Sequence, residues 1–550
     1  MTALEPSTPV LSAADLAIAD AALATVAAEM GEALGRSAYS PNIKERRDYS
    51  CAVFDAAGAM VAQAAHIPVH LGAMPEAVHA VLALAPFVPG DVYALNDPFL
   101  GGTHLPDITT VAPVFAEGAV AGDDATQPIA FVATRAHHAD VGGMAPGSMP
   151  VARELLQEGL VIPPLRLVKA GVLEEGAFAL IVRNSRAPDE RRGDLRAQLA
   201  ATALGARRLA ALAQRFSGGG FGVAGFRARC AALLDHGERV TRAFLRTVPT
   251  GRYTFADRLE IDDDDGAAGG GVIRLALEVS ADGLHFDFTG TAAESATTSL
   301  NAVAAVTRSA CYYVVRCLVG DDAPANQGCY RALRFTLPAR SLVAAGPPRA
   351  VSAGNVETSQ RIVDVALGAF AQALPDRIPA ASQGTMNNVT IGGFDRARGR
   401  AYAYYETLAG GAGGGPLRAG QSGVHTHMTN TLNTPIEALP LAYPFTVERY
   451  ELRAGSGGAG HHPGGDGLVR EYRFGDHATV TLVTERRRRG PWGLAGGGPG
   501  APGRNLLLRA GAPPELLPAR VQLEVAPGDR LRIETPGGGG WGPTEADRSP

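Results

Sequence analysis

Three histidines, His104, His137 and His138, and two aspartates, Asp107 and Asp140, stand in two short motifs at spacings that suit a metal ion. His104 and Asp107 stand in Thr103-His104-Leu105-Pro106-Asp107. His137, His138 and Asp140 stand in Arg135-Ala136-His137-His138-Ala139-Asp140. Imidazole nitrogen and carboxylate oxygen make a hard-to-borderline donor set, suited to Zn, Mn or Fe, and donor type does not choose among them. Pro106 disfavours the α conformation at Leu105, so His104 and Asp107 share a turn and not a helix face. A turn aspartate often does no more than bind its own backbone. The chain between the two groups argues for more. Residues 108–115 and 129–136 read as strands, and the polar, acidic, Gly-containing segment 116–128 joins them as a β-hairpin. The start of the first strand then lies beside the end of the second. His104 and Asp107 thereby meet His137 and Asp140, and Gly101, Gly102, Gly142 and Gly143 allow close backbone approach. His137 and His138 project to opposite faces of the strand end, so they take different roles: one ligand, one supporting or substrate-orienting group. Asp140 supports either, or caps a turn.

The elements around this hairpin follow from periodicity. Residues 13–35 read as an amphipathic helix capped by Ser12. Tyr49–Phe54 reads as a strand. Residues 188–216 carry apolar groups at three- and four-residue spacing, end at Gly218-Gly219-Gly220, and are followed by a second helix over 221–247, giving an antiparallel pair. Strands are expected within 251–292, with Asp262 to Asp265 in a solvated turn. Helices are expected over 297–319 and 355–373. Beyond residue 400 the chain is Gly-rich and strand-like. The fold class is mixed α and β: an N-terminal mixed part with the metal-site hairpin (1–250), a central part of helices and strands (251–400), and a β-rich C-terminal part (401–550).

Composition narrows the function. At 550 residues the chain can bury a large core. A formal net charge of −5 supplies no basic surface for nucleic acid or acidic membrane. Only Lys44 and Lys169 are lysines, and neither stands in a phosphate-binding loop. No GxSxG marks a nucleophile elbow. Five cysteines without a CxxC pair read as reduced, packed thiols of a cytoplasmic protein, with Cys51 worth noting for its closeness to Asp48. No apolar run is long enough to cross a membrane. His66 and His70 lie in His66-Ile67-Pro68-Val69-His70, where Pro68 opposes a helix. They read as pocket wall or as histidines satisfied by backbone groups. Glu357, Glu406, His425 and His427 fall in Gly/Asn/Thr-rich segments that suit either a site or a tight turn. Glu485 and Arg486 to Arg489 read as a solvated or subunit-facing surface.

Several motifs together resemble the hydantoinase B / 5-oxoprolinase family, the B-type subunits of ATP-dependent hydantoin and lactam hydrolases. They are Asn96-Asp97-Pro98-Phe99-Leu100-Gly101-Gly102-Thr103-His104, Arg135-Ala136-His137-His138-Ala139-Asp140, Ser40-Pro41-Asn42-Ile43-Lys44-Glu45-Arg46-Arg47-Asp48, Pro146-Gly147-Ser148-Met149, Gly354-Asn355-Val356-Glu357-Thr358, Tyr404-Tyr405-Glu406-Thr407 and the closing Pro536-Gly537-Gly538-Gly539-Gly540. The resemblance implies Asp48, His104, Asp107 and His137 as ligands of one divalent transition metal. It leaves His138 or Asp140 as the catalytic, proton-handling residue or as a group that supports a ligand from behind. It implies a cyclic-amide hydrolase acting on a hydantoin, N-methylhydantoin or 5-oxoproline, in a hetero-oligomer with an A-type ATPase subunit that carries ATP and Mg. Ketone carboxylases of the acetone and acetophenone type share these motifs and are the alternative enzyme. A structural subunit with a structural metal is the non-catalytic alternative.

Overall fold

The computed structural model describes residues 11–64, 67–116, 127–216, 222–261, 270–320 and 323–545. His66, Gly218 to Gly220, Asp262 to Asp265 and most of the hairpin loop fall outside the described residues.

Helix α1 (Ala13–Ser37) begins at Ser12, whose hydroxyl accepts from the Asp15 amide while the Asp15 carboxylate accepts in return from Ser12, a capping box. The short helix α2 (Pro41–Lys44) follows. The first sheet comprises β1 (Tyr49–Asp55), β2 (Met60–Gln63), β3 (Val92–Leu95), β4 (Asp107–Val114), β5 (Ala130–His137), β6 (Leu165–Lys169) and β7 (Val172–Leu173), in the order β2-β1-β5-β4-β3-β6-β7. All its pairings are antiparallel. The predicted hairpin is β4/β5, shifted by one residue from the sequence reading.

This sheet is covered on both faces. Helix α3 (Ala73–Leu82) packs Met74, Val78 and Val81 against Phe54, Val111 and Phe131 on one face. After α4 (Glu175–Arg183), the long helix α5 (Pro188–Phe216) and helix α6 (Gly222–Leu245) join α1 on the other face, over Cys51, Val53, Val114 and Val132. Two covered faces explain why β4 and β5 are buried along their whole length. The α5 bounds match the periodicity reading at both ends.

A second sheet, order β11-β10-β9-β8, holds β8 (Gly251–Arg258), β9 (Val272–Ser280), β10 (Gly283–Asp287) and β11 (Leu333–Thr336). Helices α7 (Ala304–Val319) and α8 (Ser359–Ala373) pack with it in the most extensive core cluster. A π-helical turn, Gly354–Thr358, leads into α8. The expected helix start at 297 is thus seven residues early, and the expected start at 355 falls within the π-helical turn.

The C-terminal region is β-rich, as composition implied. Strands β12 (Asn388–Asp395), β13 (Arg400–Glu406), β16 (Ala478–Val483) and β19 (Arg520–Val525) form one sheet, and β14 (Phe445–Arg453), β15 (Gly467–Phe474), β17 (Arg504–Leu508), β18 (Glu515–Leu517) and β20 (Arg530–Glu534) another. Glycine-rich segments pass backbone against backbone between them. A Cβ on Gly538 would sit 2.0 Å from the Ala412 carbonyl oxygen, so a side chain there has no space.

The charged run at 485–489 departs from the expected surface. Glu485 and Arg486 are buried. Arg486 donates to Asp257 and Asp364 at 2.8 and 2.7 Å, and Arg520 donates to Glu485 at 2.8 Å. The run ties the C-terminal sheets to β8 and α8, a long-range pairing that local charge density does not reveal. Among the described residues, no helix is long and apolar enough to cross a membrane.

Candidate metal centre

Strand register assembles the site. Asp107 pairs directly with His137 across β4 and β5. Opposed residues on antiparallel strands share a face, so both side chains project toward the α3 side. On the other flank Tyr49 pairs with Ala136, and the His137 amide donates to the Asp48 carbonyl at 3.0 Å. Asp48 therefore lies beside His137 at the mouth of the same three strands. The β1–β5 pairing is the step that the sequence left to family resemblance.

His104 arrives on the loop before β4, which two residues hold in place. The Asn96 side-chain amide donates to the Leu105 and Leu160 carbonyls at 2.7 and 2.9 Å. Arg135 donates to the Gly101 carbonyl at 2.9 Å and to the Thr109 hydroxyl at 2.8 Å. Gly101 has φ +96°, and a Cβ there would meet the Ala77 backbone nitrogen at 2.6 Å. The glycine is required both by its dihedral and by the approach of α3.

The three donors converge. His104 Nε2 and Asp107 Oδ1 are 3.1 Å apart, His137 Nδ1 and Asp107 Oδ1 3.2 Å, and His104 Nε2 and His137 Nδ1 3.1 Å. Donors about 2.0–2.2 Å from one ion in a tetrahedral array stand about 3.4 Å from one another, so the triangle is close to the size of a coordination face. Hydrogen bonds alone do not satisfy it, since each ring nitrogen carries at most one proton and the carboxylate oxygen accepts only. All three residues are buried. They share a cavity of about 20 Å³ with Asp48, His70, Asn355, Met386, Tyr405 and Met428. That volume suits one ion or one water. A metal bound by these donors fits the residues present.

The surroundings fix each donor. Thr103 donates to Asp107 Oδ2 at 2.5 Å, and His70 Nε2 lies 3.5 Å from the same oxygen. His70 Nδ1 is in turn 2.7 Å from the Ser50 hydroxyl. Thus His70 forms the pocket wall, as its sequence context indicated, and orients Asp107. The Tyr405 ring stacks on His137 with centroids 4.5 Å apart, and the Arg46 guanidinium lies 4.7 Å from the Tyr405 ring centroid. The Tyr405 hydroxyl donates to Asn388 Oδ1 at 2.8 Å, and the Asn388 amide donates to Glu357 at 2.8 Å. Asn355, Tyr405 and Asn388 were not singled out from sequence as site residues. Asn355 and Tyr405 stand in the quoted motifs, next to the acids Glu357 and Glu406 that drew attention instead.

Electrostatics favour a cation at the centre. Burial opposes charge on Asp107, but His104, with hydrogen bonds from His104, His137 and His70, holds its carboxyl well below the usual range. Burial likewise opposes charge on His104, and Asp107 outweighs it, raising the imidazole. Burial lowers His137. Asp48 is less tightly placed. It lines the cavity, with Arg46 3.9 Å from its carboxylate, outside the three-donor cluster.

His138 and Asp140 lie elsewhere. His138 projects to the α5 face, where its Nε2 is 3.0 Å from Gln198 Oε1 and its Nδ1 contacts Arg191. Burial and the Arg191 charge push it well below an ordinary histidine, so the ring is neutral. Asp140 accepts from the amides of Gly142, Gly147 and Arg186 at 3.1, 3.1 and 2.9 Å and pairs with the Arg186 guanidinium at 2.9 Å. Neither lines the cavity. Both tie the end of β5 to α5 and its N-terminal approach. Cys51 alternates to the α1 face, and burial pushes its thiol up, so it stands apart from Asp48 and from the site.

Residues 12–544 match the family described as Hydantoinase B/oxoprolinase. The chain belongs to that family. Among relatives of this hydantoinase B/oxoprolinase chain, 5-oxoprolinase 1 of Arabidopsis thaliana is 39% identical over 94% of this chain and 41% of its own length. The chain thus spans well under half of that relative. The B-type subunit of a putative D-/L-hydantoinase from a Pseudomonas species is 29% identical over 94% of this chain and 88% of its own. Two solved structures share the fold. The ATP-dependent caprolactamase of Pseudomonas jessenii superposes with TM-score 0.87 at 29% identity, covering 97% of this chain and 92% of that one. Acetone carboxylase superposes with TM-score 0.85 at 18% identity, covering 96% and 75%, and this second likeness concerns the fold alone.

Proposed function

We propose that this chain is the B-type subunit of an ATP-dependent cyclic-amide hydrolase, acting on a ring of the hydantoin, N-methylhydantoin or 5-oxoproline class after activation by an A-type ATPase subunit. The observation that carries this reading is the buried His104, Asp107 and His137 triangle, in a family whose named relatives include a 5-oxoprolinase and the B-type subunit of a putative hydantoinase. The likeness to caprolactamase, higher in identity and in coverage of the neighbour than that to acetone carboxylase, favours amide hydrolysis over carboxylation.

Asp107, His104 and His137 are the proposed ligands, with Asp48 completing the set from the residue before β1. A divalent Zn, Mn or Fe held there would supply a Lewis acid and lower the pKa of water toward neutrality. Thr103 and His70 orient Asp107, and His104 beside it keeps the carboxylate ionised, so its charge stays at the centre. Tyr405 covers His137 and excludes water from that side. In this role His138 and Asp140 are positioning residues: they lock the β5 terminus against α5 so that His137 cannot rotate out of the triangle. The cavity of about 20 Å³ accommodates no ring, so a wall must move before substrate reaches the donors.

The test is reconstitution. Co-expression with an A-type subunit should give a complex that opens one of these rings only with ATP and Mg. Ketone carboxylation with bicarbonate, or ring opening by the isolated chain without ATP, would refute the assignment.

A further inference from the structure

The wall of the metal cavity includes the carboxamide of Asn355, a residue only 3% exposed. Its Oδ1 has no hydrogen-bond partner. Its Nδ2 lies 3.4 Å from Nε2 of His104, the same nitrogen that faces Asp107 and His137 in the donor triangle. A metal on that nitrogen takes the lone pair that Nδ2 would otherwise meet, so both ends of the carboxamide then face the cavity unpaired. Buried amide groups left in that state are rare, and each calls for a partner. Nearby groups of the wall are already used. The Tyr405 hydroxyl donates to Asn388 at 2.8 Å, and the Thr407 hydroxyl accepts from Arg46 at 3.0 Å.

The backbone holds Asn355 in place. Its amide donates to the Val351 carbonyl at 3.3 Å, and its carbonyl accepts from the Ser359 hydroxyl at 2.7 Å. The Gly354 amide donates to the Ser299 carbonyl at 2.8 Å. Just upstream, the Glu158 carboxylate accepts from the amides of Val351 and Ser352 at 2.9 and 2.8 Å. The carboxamide is therefore a preorganised donor and acceptor side by side, and it keeps its place when another part of the wall moves.

We propose that Asn355 reads the amide edge of the substrate ring: Nδ2 donates to the ring carbonyl oxygen, and Oδ1 accepts from the ring N–H beside it. This rests on the hydrolase reading and specifies which ring atoms the site recognises. A small ring forces its amide cis, so its N–H and carbonyl oxygen stand on one edge. A primary carboxamide presents the same edge in reverse. The two edges pair through two hydrogen bonds, as asparagine pairs with the donor and acceptor of adenine. An open-chain trans amide turns its N–H away from its carbonyl oxygen and makes only one of the two. The pairing puts the ring carbonyl on the Nδ2 side, toward His104 and the other donors. It also selects rings with a free N–H. Hydantoin, a hydantoin methylated on one nitrogen and 5-oxoproline each carry one beside a carbonyl; a ring methylated on every nitrogen does not.

The test uses the full chain loaded with Zn and given no ATP, so that the readout is binding and not turnover. Calorimetric titrations with hydantoin and with 5-oxoproline are compared with those of dimethylated hydantoin and N-methyl-5-oxoproline. At least one N–H ring should bind about tenfold or more tightly than its methylated counterpart. Asn355→Ala and Asn355→Leu should keep their metal by elemental analysis, bind that ring about tenfold more weakly and no longer distinguish the pair. Leucine retains the bulk of asparagine, so discrimination by crowding alone would survive in it. Equal affinity for both members of each pair, no detectable binding of any ring, discrimination that persists in the leucine variant, or loss of metal from both variants overturns the proposal. Ring opening with the A-type partner and ATP, alongside discrimination that ignores Asn355, would remove this contact and leave the hydrolase reading. Discrimination through Asn355 without ring opening in that complex would do the reverse.

Discussion

At the scale of single residues, neighbours in sequence take opposed roles because a strand alternates. His137 faces the metal centre and His138 faces α5. Substitution should separate them. His104→Ala or Asp107→Ala removes a donor from a buried triangle and should reduce metal content, by elemental analysis, to a small fraction of the unaltered protein while leaving the fold. His138→Ala should keep its metal but lower the melting temperature. It strands Arg191 and Gln198 in the interior, which costs about 1–3 kcal/mol. Loss of metal in the His138 variant with retention in a His137→Ala variant would reverse the two assignments.

At the scale of elements, the site depends on register. Asp48, His137 and Asp107 stand in line because β1, β5 and β4 pair antiparallel in that order, and a slip of one residue would turn Asp107 to the α5 face. The other wall depends on the π-helical turn before α8, which delivers Asn355 to within 3.4 Å of His104 Nε2. Such turns often mark functional positions. Gly354 makes this one possible: a Cβ there would lie 1.9 Å from the Asn301 carbonyl oxygen. Gly354→Ala should therefore displace the turn, lower the melting temperature and weaken metal uptake on titration. An unchanged metal affinity would show that the turn is not part of the site's support.

At the scale of the whole molecule, buried charge joins the sheets and makes stability depend on pH. Glu357 lies between the metal-site wall and the C-terminal sheet. It accepts from the Met386 amide at 3.0 Å and from Asn388 at 2.8 Å. Burial pushes its carboxyl up to about 8, from 4.5. The folded state thus binds the proton more tightly than the unfolded one, so stability falls as pH rises through the window between these values and levels off above it. Glu357→Gln should flatten that decline, of order a few kcal/mol, in denaturant unfolding measured at pH 5 and pH 8. Equal slopes in both proteins would show that the carboxyl is not a buried proton carrier.

The sequence by itself determined the elements and the half of the site that is local. Periodicity gave α5, and Ser12 with Asp15 gave the start of α1, because capping and amphipathicity act within a few residues. The hairpin was legible for the same reason: a short connection leaves two adjacent strands little choice but to pair. That alone brought Asp107 against His137. Tertiary structure decided what no nearby residue encodes. The pairing of β1 with β5 placed Asp48 beside His137. The packing of α5 took His138 and Asp140 out of the cavity, where the family resemblance left them candidates for proton transfer. Asn355 reached His104 from 251 residues along the chain, and Tyr405 came to His137 from a strand of another sheet. The run Glu485 to Arg489 read as surface from its charge, yet Glu485 and Arg486 are interior, because Asp257, Asp364 and Arg520 lie far along the chain and only folding brings their compensating charges to them.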